Sequence, residues 1–200
     1  MIALFGPAGS GKSLQGEILA EKYGWKWLSV GQLLRDQNDV EIDEKLKTGE
    51  LFDDEFVTKL MHGAMVDMEA LGVEVILDGY PRNEAQAKRM AENGDMKMVK
   101  GAIVLEVDKK ELWERIEERG RDDDTREAVE RRWEIFEQNM CSIVPLFEKE
   151  NVKITTVDGM GTVEEITARL EAVLDDLGVL DELAILGSEE KDGIEKSYGE

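Results

Sequence analysis

The chain has 200 residues, 42% of them hydrophobic and 36% charged, with three prolines and one cysteine; that length supports one well-cored domain, and a single cysteine excludes an intrachain disulfide. Forty-six acidic against 25 basic residues leave a net charge of −21, which repels a nucleic-acid backbone and argues against such partners. No apolar run approaches the roughly 18 residues of a membrane span, and the N-terminus lacks the basic start of a secretory signal, so the expectation is a cytoplasmic protein with no membrane partner.

The first element is a buried strand, "MIALF" at 1–5, followed by a helix over 12–23. "WKWLSV" at 25–30 reads as a short strand, with helical segments around 31–37, 41–48 and 54–71. "VEVILDGY" at 73–80 is a clear strand, rich in β-branched residues. A helix over 84–93, a strand over 101–107 and a helix over 109–119 follow. Residues 125–149 form a long amphipathic helix: Val129, Trp133, Phe136, Met140, Ile143 and Phe147 recur at three- and four-residue spacing. That stripe reads as core packing, and Cys141 sits on a face of the same helix. A last strand over 152–158 leads into a helix over 162–177 that opens on Thr162-x-x-Glu165, a capping-box pattern. After Gly178 the pattern weakens into a polar, frayed tail. His62 falls away from every motif and reads as packing or surface. Five apolar strands alternating with helices predict an α/β fold with a parallel sheet, whose ligands bind beyond the carboxyl ends of the strands.

At the first such end stands "GPAGSGKS", residues 6–13, which matches G-x-x-x-x-G-K-[ST]. Its glycines let the backbone N–H groups of Gly9, Ser10 and Gly11 turn around phosphate oxygens. Lys12 reaches the β/γ region and Ser13 can ligate Mg²⁺. The following helix adds its positive end. The motif implies a nucleoside triphosphate. It leaves open whether the phosphoryl acceptor is water, a hydroxyl or another phosphate. A hydroxyl acceptor needs a positioned carboxylate base. A phosphate acceptor is already anionic and needs charge neutralisation, for which arginine is suited.

Five further stretches narrow the choice: "LSVGQLLR" (28–35), "GELFDDEFV" (49–57), "LDGYPRNEAQA" (77–87), "RIEERGRDDDTREAVERRW" (115–133) and "VDGMGTVEEI" (157–166). With the phosphate loop, in this order and spacing, they resemble the adenylate kinase family of nucleoside monophosphate kinases over residues 1 to about 177. The resemblance implies a three-layer fold of the P-loop nucleoside triphosphate hydrolase type. Its five-stranded parallel core would comprise 1–29, 60–114 and 125–177. A helical monophosphate-binding insert would span 30–59, a very short lid 115–124 and an acidic C-terminal tail 178–200. The lid is minimal because Arg119, Gly120 and Arg121 are adjacent, and one cysteine with one histidine excludes a zinc lid.

Six of the ten arginines fall at family positions: Arg35, Arg82, Arg115, Arg119, Arg121 and Arg132. The resemblance implies that Lys12 bridges the donor phosphates, Arg35 and Arg82 hold the acceptor phosphate, and Arg121 and Arg132 stabilise the transferring group. Arg115 and Arg119 would contact the donor phosphates or stack on the donor base, with backbone contacts from 159–161, Gly161 included. Asp78 would orient Mg²⁺ through water, with Ser13 a direct ligand, and Asp123 and Asp124 would close the lid. The acceptor nucleotide would lie against Val30, Arg35, Phe52, Gly79, Arg82 and Gln86.

Gln86, four residues after Arg82, favours an adenine base and hence AMP. Three departures from the family pattern bear on that choice: Val30 replaces a threonine, Gln32 an aspartate, and Phe52 a valine-like residue. Leu14 stands where the phosphate loop usually carries a second hydroxyl, which implies a weaker grip on ATP. The leading expectation is therefore a monomeric enzyme that converts ATP and AMP to two ADP with Mg²⁺ and no zinc. The alternatives are a UMP/CMP or other nucleoside monophosphate kinase, or a nucleotide-binding module with weak turnover.

Overall fold

The computed structural model describes residues 1–37, 39, 42, 52–120 and 125–180. Within them five strands, β1 (Ile2–Phe5), β2 (Lys26–Ser29), β3 (Val75–Asp78), β4 (Gly101–Glu106) and β5 (Ile154–Asp158), form one sheet in the order β2-β3-β1-β4-β5. Every pairing is parallel. The helices are α1 (Lys12–Tyr23), α2 (Val30–Asp36), α3 (Asp54–Ala70), α4 (Glu84–Glu92), α5 (Lys109–Arg119), α6 (Arg126–Lys149) and α7 (Val163–Asp176), with a 3₁₀ turn at Asp95–Met98.

The strands read as continuous apolar runs because both faces of the sheet are covered. Alternate residues of one strand enter different cores. Ala3 and Phe5 of β1, with Leu77 and Ala102, pack against Val57, Met61 and Met65 of α3, Ala87 and Met90 of α4, and Ile143 and Phe147 of α6. Ile2 and Leu4, with Ile76, Ile103 and Leu105, pack against Leu19 and Ala20 of α1 and Ile166, Leu170 and Leu174 of α7. The α6 stripe is core as expected, with Phe136 and Met140 at its partly buried margin. Cys141 is exposed on that helix.

Element boundaries moved where a cap or turn intervened. The expected strand at 25–30 stops at Ser29, whose side chain accepts from the Gln32 amide and starts α2 at Val30. The strand at 73–80 narrows to Val75–Asp78 because Gly79 takes φ +62° and a cis Tyr80–Pro81 bond follows. α3 runs unbroken through 59–60, the expected edge of the insert. The expected helix over 41–48 lies outside the described residues except for position 42. The α7 capping box is present, Thr162 and Glu165 bonding reciprocally. The packed body reaches past Gly178, since Val179 is buried and Leu180 partly so. Among the described residues no helix is long and apolar enough to cross a membrane.

Phe147 ties α6 to the central strand: it is fully buried and meets the Phe5 ring edge-on at 5.7 Å between centroids. Phe147→Ala should cost about 3–5 kcal/mol, read as a lower midpoint with an unchanged slope in urea unfolding.

Candidate active site

β1 and β3 are neighbours, with Leu4 opposite Asp78. The helix that follows β1 covers one face of the sheet and the helix that follows β3 covers the other. A crevice therefore opens beyond the carboxyl ends of these two strands, and the two loops that line it, with the residues flanking them, carry Gly9 to Leu14, Asp78, Gly79, Arg82 and Gln86 of the predicted set.

The phosphate loop departs from β1. Gly9 and Gly11 adopt φ +89° and +84°, the left-handed region that favours glycine. A Cβ at Gly9 would also stand 2.8 Å from the Leu112 carbonyl oxygen. Gly11 caps α1 without a side-chain bond, and no acid occupies the first turn of α1, so the first amides of the helix and its dipole are left for an anion, whereas the Ser10 N–H, expected to face phosphate, is taken by the Pro7 carbonyl at 3.1 Å. Ser10 is fully buried.

The loop is held from behind. Trp133 Nε1 donates to the Ala8 carbonyl at 2.9 Å. Arg115 donates to Glu111 Oε1 (2.8 Å), the Ser10 carbonyl (3.5 Å) and the Gly159 carbonyl (2.9 Å). Arg115 thus ties the phosphate loop to the β5–α7 turn. In that turn Gly159 admits no Cβ, which would stand 2.6 Å from Val107, and Gly161 has φ +103°. Arg169 clamps the turn through the Asp158 and Met160 carbonyls. Gln15, buried in α1, donates to the Val163 carbonyl and accepts from Thr167.

Across the crevice, Ser13 Oγ donates to Asp78 Oδ2 at 2.6 Å. Asp78 is buried, and its Oδ1 has no hydrogen-bond partner. Among the described residues no cluster of three acidic, histidine or cysteine ligands could hold a metal by itself. That suits Mg²⁺, which keeps waters and binds one or two protein oxygens together with substrate phosphates; the orphaned Asp78 oxygen and the adjacent Ser13 hydroxyl fit it. Lys12 Cε lies 3.5 Å from where a Cβ of Gly79 would be, so the lysine of the loop after β1 rests on the loop after β3.

Arg82 is exposed; its Nε donates to the Gly79 carbonyl at 3.2 Å. Surrounding protein lowers its pKa from the ordinary arginine value, and the Asp78 charge opposes that shift; with its solvent contact the guanidinium stays charged. Arg35 folds along α2 onto Gln32 Oε1 (2.9 Å from Nη2), and Gln32 in turn donates to Asp36. Arg35 and Arg82 therefore bond to neutral oxygens and leave their charge for an anion, whereas Arg115 is ion-paired with Glu111.

Gln86 is buried. Its Oε1 accepts the Arg82 backbone N–H (2.8 Å), and its Nε2 donates to Asp54 Oδ1 (2.7 Å). Val30 is buried, and the Phe52 ring stacks on Phe56 with centroids 6.2 Å apart. Leu14 is 49% exposed on the first turn of α1. Arg132 lies partly buried on α6, its Nε donating to the Ala128 carbonyl. Arg121, Asp123 and Asp124, and the side chain of Arg119, lie outside the described residues. A groove of about 620 Å³ between α5 and α6 includes Trp113 and Trp133 but none of the cradle residues.

Four contributors went unread in the sequence: Gln15, Asp54, Trp133 and Arg169. Gln15 had a faint signal as a lone polar residue among apolar positions of α1. Trp133 was read as core, which it is, and nothing in the pattern says where its indole N–H points. His62, read as packing or surface, bonds to the buried Asp95 at 2.6 Å.

The adenylate kinase family model matches residues 4–152. An adenylate kinase of Synechococcus sp. (strain WH7803) is 33% identical over 181 residues, 86% of this chain and 97% of the relative. One from Thermus thermophilus is 34% identical over 86% of this chain and 96% of its own length. One from Caulobacter vibrioides (strain NA1000 / CB15N) is 35% identical over 87% and 96%.

Tyr80 lies between Gly79 and Arg82 but is fully buried, and its hydroxyl has no hydrogen bond of good geometry. Burial pushes its phenol up to about 12; the nearby Thr58 hydroxyl opposes the shift and Asp95 adds to it. A pKa raised in the folded state stabilises the fold below about pH 10, and that contribution is lost as pH rises towards 12. Because the buried hydroxyl has no partner, Tyr80→Phe should be neutral or stabilising at pH 7. Relative to the parent it should gain a further ~2–3 kcal/mol between pH 10 and 12, measured by urea unfolding across that range.

Proposed function

This chain belongs to the adenylate kinase family, and we propose that it transfers the terminal phosphoryl group of ATP to AMP, giving two ADP. The observation that carries the reading is the contact between the two loops: Lys12 of the phosphate loop rests on Gly79 of the acceptor loop, and Ser13 bonds to Asp78. A donor phosphate chain seated on the α1 N-terminus would thus end beside Arg82.

The chemistry follows from charge. Both substrates are anionic, so the transfer needs alignment and neutralisation more than covalent assistance. Lys12 neutralises the donor phosphates. Arg82 and Arg35 hold the acceptor phosphate, and the acceptor oxygen needs no base because it already carries charge. Arg132, with Arg119 and Arg121, neutralises the transferring group. Arg115 positions the phosphate loop and the β5–α7 turn that faces the donor base. Ser13 and Asp78 would hold Mg²⁺, which when bound supplies charge neutralisation at the phosphates. Gln86 and Phe52 face the acceptor base. Closure of the insert at 30–59 and the short link at 115–124 excludes water; Asp123 and Asp124 join that closure. A single chain supplies all these residues, which is compatible with action as a monomer; the free thiol at Cys141 suits the cytoplasm.

With ATP and Mg²⁺, a panel of nucleoside monophosphates in a coupled assay should show the highest kcat/KM with AMP; a preference for UMP or CMP would overturn the choice of acceptor. Arg82→Ala should lower kcat by at least about 100-fold while ATP still binds by calorimetry; unchanged turnover would remove the role of Arg82.

Leu14 offers no hydroxyl beside the donor phosphates. Leu14→Thr should lower the KM for ATP by up to about tenfold, the worth of one good hydrogen bond, with the KM for AMP unchanged.

A further inference from the structure

Asp54, the first residue of α3, does more than favour a helix N-terminus. An acid there is ordinarily satisfied by the amides of its own helix. Here one oxygen, Oδ1, accepts from two side-chain amides on the acceptor loop: Gln86 Nε2 at 2.7 Å and Asn83 Nδ2 at 2.9 Å. Asn83 Oδ1 in turn caps α4 by accepting from the Gln86 backbone N–H at 2.9 Å. The Gln86 amide is therefore held on both sides, by Asp54 and by the Arg82 backbone N–H at 2.8 Å.

The chemistry of those two partners dictates which way the amide faces. A backbone N–H can only donate, and an ionised carboxylate can only accept. The oxygen of Gln86 must face Arg82, and its nitrogen must face Asp54. The reversed amide would set oxygen against carboxylate and N–H against N–H. Gln86 is only 4% exposed, so no bulk water relieves either clash.

Two structural bonds leave Gln86 one lone pair on Oε1 and one proton on Nε2. An amide in fixed orientation then offers a base one acceptor and one donor in fixed order. Adenine carries a 6-amino donor next to the N1 acceptor. Hypoxanthine, of the same size, carries a 6-oxo acceptor next to an N1–H donor. Cytosine presents the adenine order and uracil the reverse. A site whose buried polar groups fit one order rejects the other strongly, because the mismatched groups are left unpaired.

We propose that Asp54 is the specificity-determining positioning residue of the acceptor site: it locks the Gln86 amide in the orientation that accepts a 6-aminopurine monophosphate and rejects a 6-oxopurine one. This rests on the reading that Gln86 faces the acceptor base. Asp54 touches no substrate and acts through Gln86. Asn83, whose Nδ2 donates to the same Asp54 oxygen while its Oδ1 caps α4, gives the carboxylate a second anchor on the acceptor loop.

The test compares AMP with IMP, two acceptors that differ only at this edge. Asp54→Asn replaces an obligate acceptor with an amide that can present either atom, so the reversed Gln86 amide meets one clash, at the Arg82 N–H, instead of two. The AMP:IMP ratio of kcat/KM should fall about tenfold, through loss with AMP and gain with IMP, while the KM for ATP and the melting temperature stay close to the parent's. Asp54→Glu, which keeps the carboxylate, should restore part of the ratio. Should Asp54→Asn not fold, Asp54→Ser, whose hydroxyl can also both donate and accept, gives the same comparison. An unchanged ratio, or an equal fall with both acceptors, overturns the proposal. Gln86→Ala separates the two levels. If it abolishes the AMP preference while Asp54→Asn does not, Gln86 reads the base without the lock. If it leaves AMP use unchanged, Gln86 does not face the base and both readings fall.

Discussion

The parallel pairing of β1 with β3 is the constraint on which the site depends. Its register sets Leu4 opposite Asp78, so the two chains leave the sheet at the same height. One continues into the phosphate loop and the other into 79–83. Strands at this spacing are about 4.8 Å apart, which is why Ser13 can reach the Asp78 carboxylate and Lys12 can lie over Gly79. Separating the strands by one further position would double the distance between donor and acceptor loops. The long stretch of chain between them, including β2, α2 and α3, serves to bring β3 back beside β1.

A second layer of structure keeps these loops in place. Arg115 connects the phosphate loop to the β5–α7 turn, Trp133 holds the Ala8 carbonyl, and Gln15 binds α1 to α7. None of these contacts leads to a substrate, yet each limits where a loop amide can point. Transition-state stabilisation by backbone amides works only when they are held before the substrate arrives. The loops that meet anions are thus fixed by elements on the far sides of the sheet.

Charge follows a similar division. The chain carries −21, and several of its lysines meet acids at the surface, as in the Lys88–Glu84, Lys110–Glu114 and Lys109–Glu137 pairs. Such exposed pairs contribute little to stability. Arg35 and Arg82 instead contact neutral oxygens. An acidic exterior repels phosphate compounds in general, while guanidinium groups bonded to neutral oxygens, Arg82 with only the Asp78 charge acting on it, offer a local exception among the described residues.

The layers were legible in the chain alone, because each of their signals is local. Apolar runs of strand length, helical periodicity and glycines before a lysine arise from short-range geometry, and the α1 and α5 spans needed no correction at either end. Boundaries that depend on a cap or a positive-φ glycine, as at Ser29 and Gly79, were less legible. The loop residues Lys12, Ser13, Asp78 and Arg82 were legible because motif and strand end coincide. Direction and partnership came only with the folded arrangement. Arg115 reads in the chain as a contact to the donor phosphates or base, and in the fold it turns to Glu111, Ser10 and Gly159. Asp54 reads as an acid opening a helix, and in the fold it orients an amide 32 positions away. A side chain's donors and acceptors are the same in any sequence; which partners saturate them depends on what long-range packing brings within about 3 Å, and no local pattern encodes that.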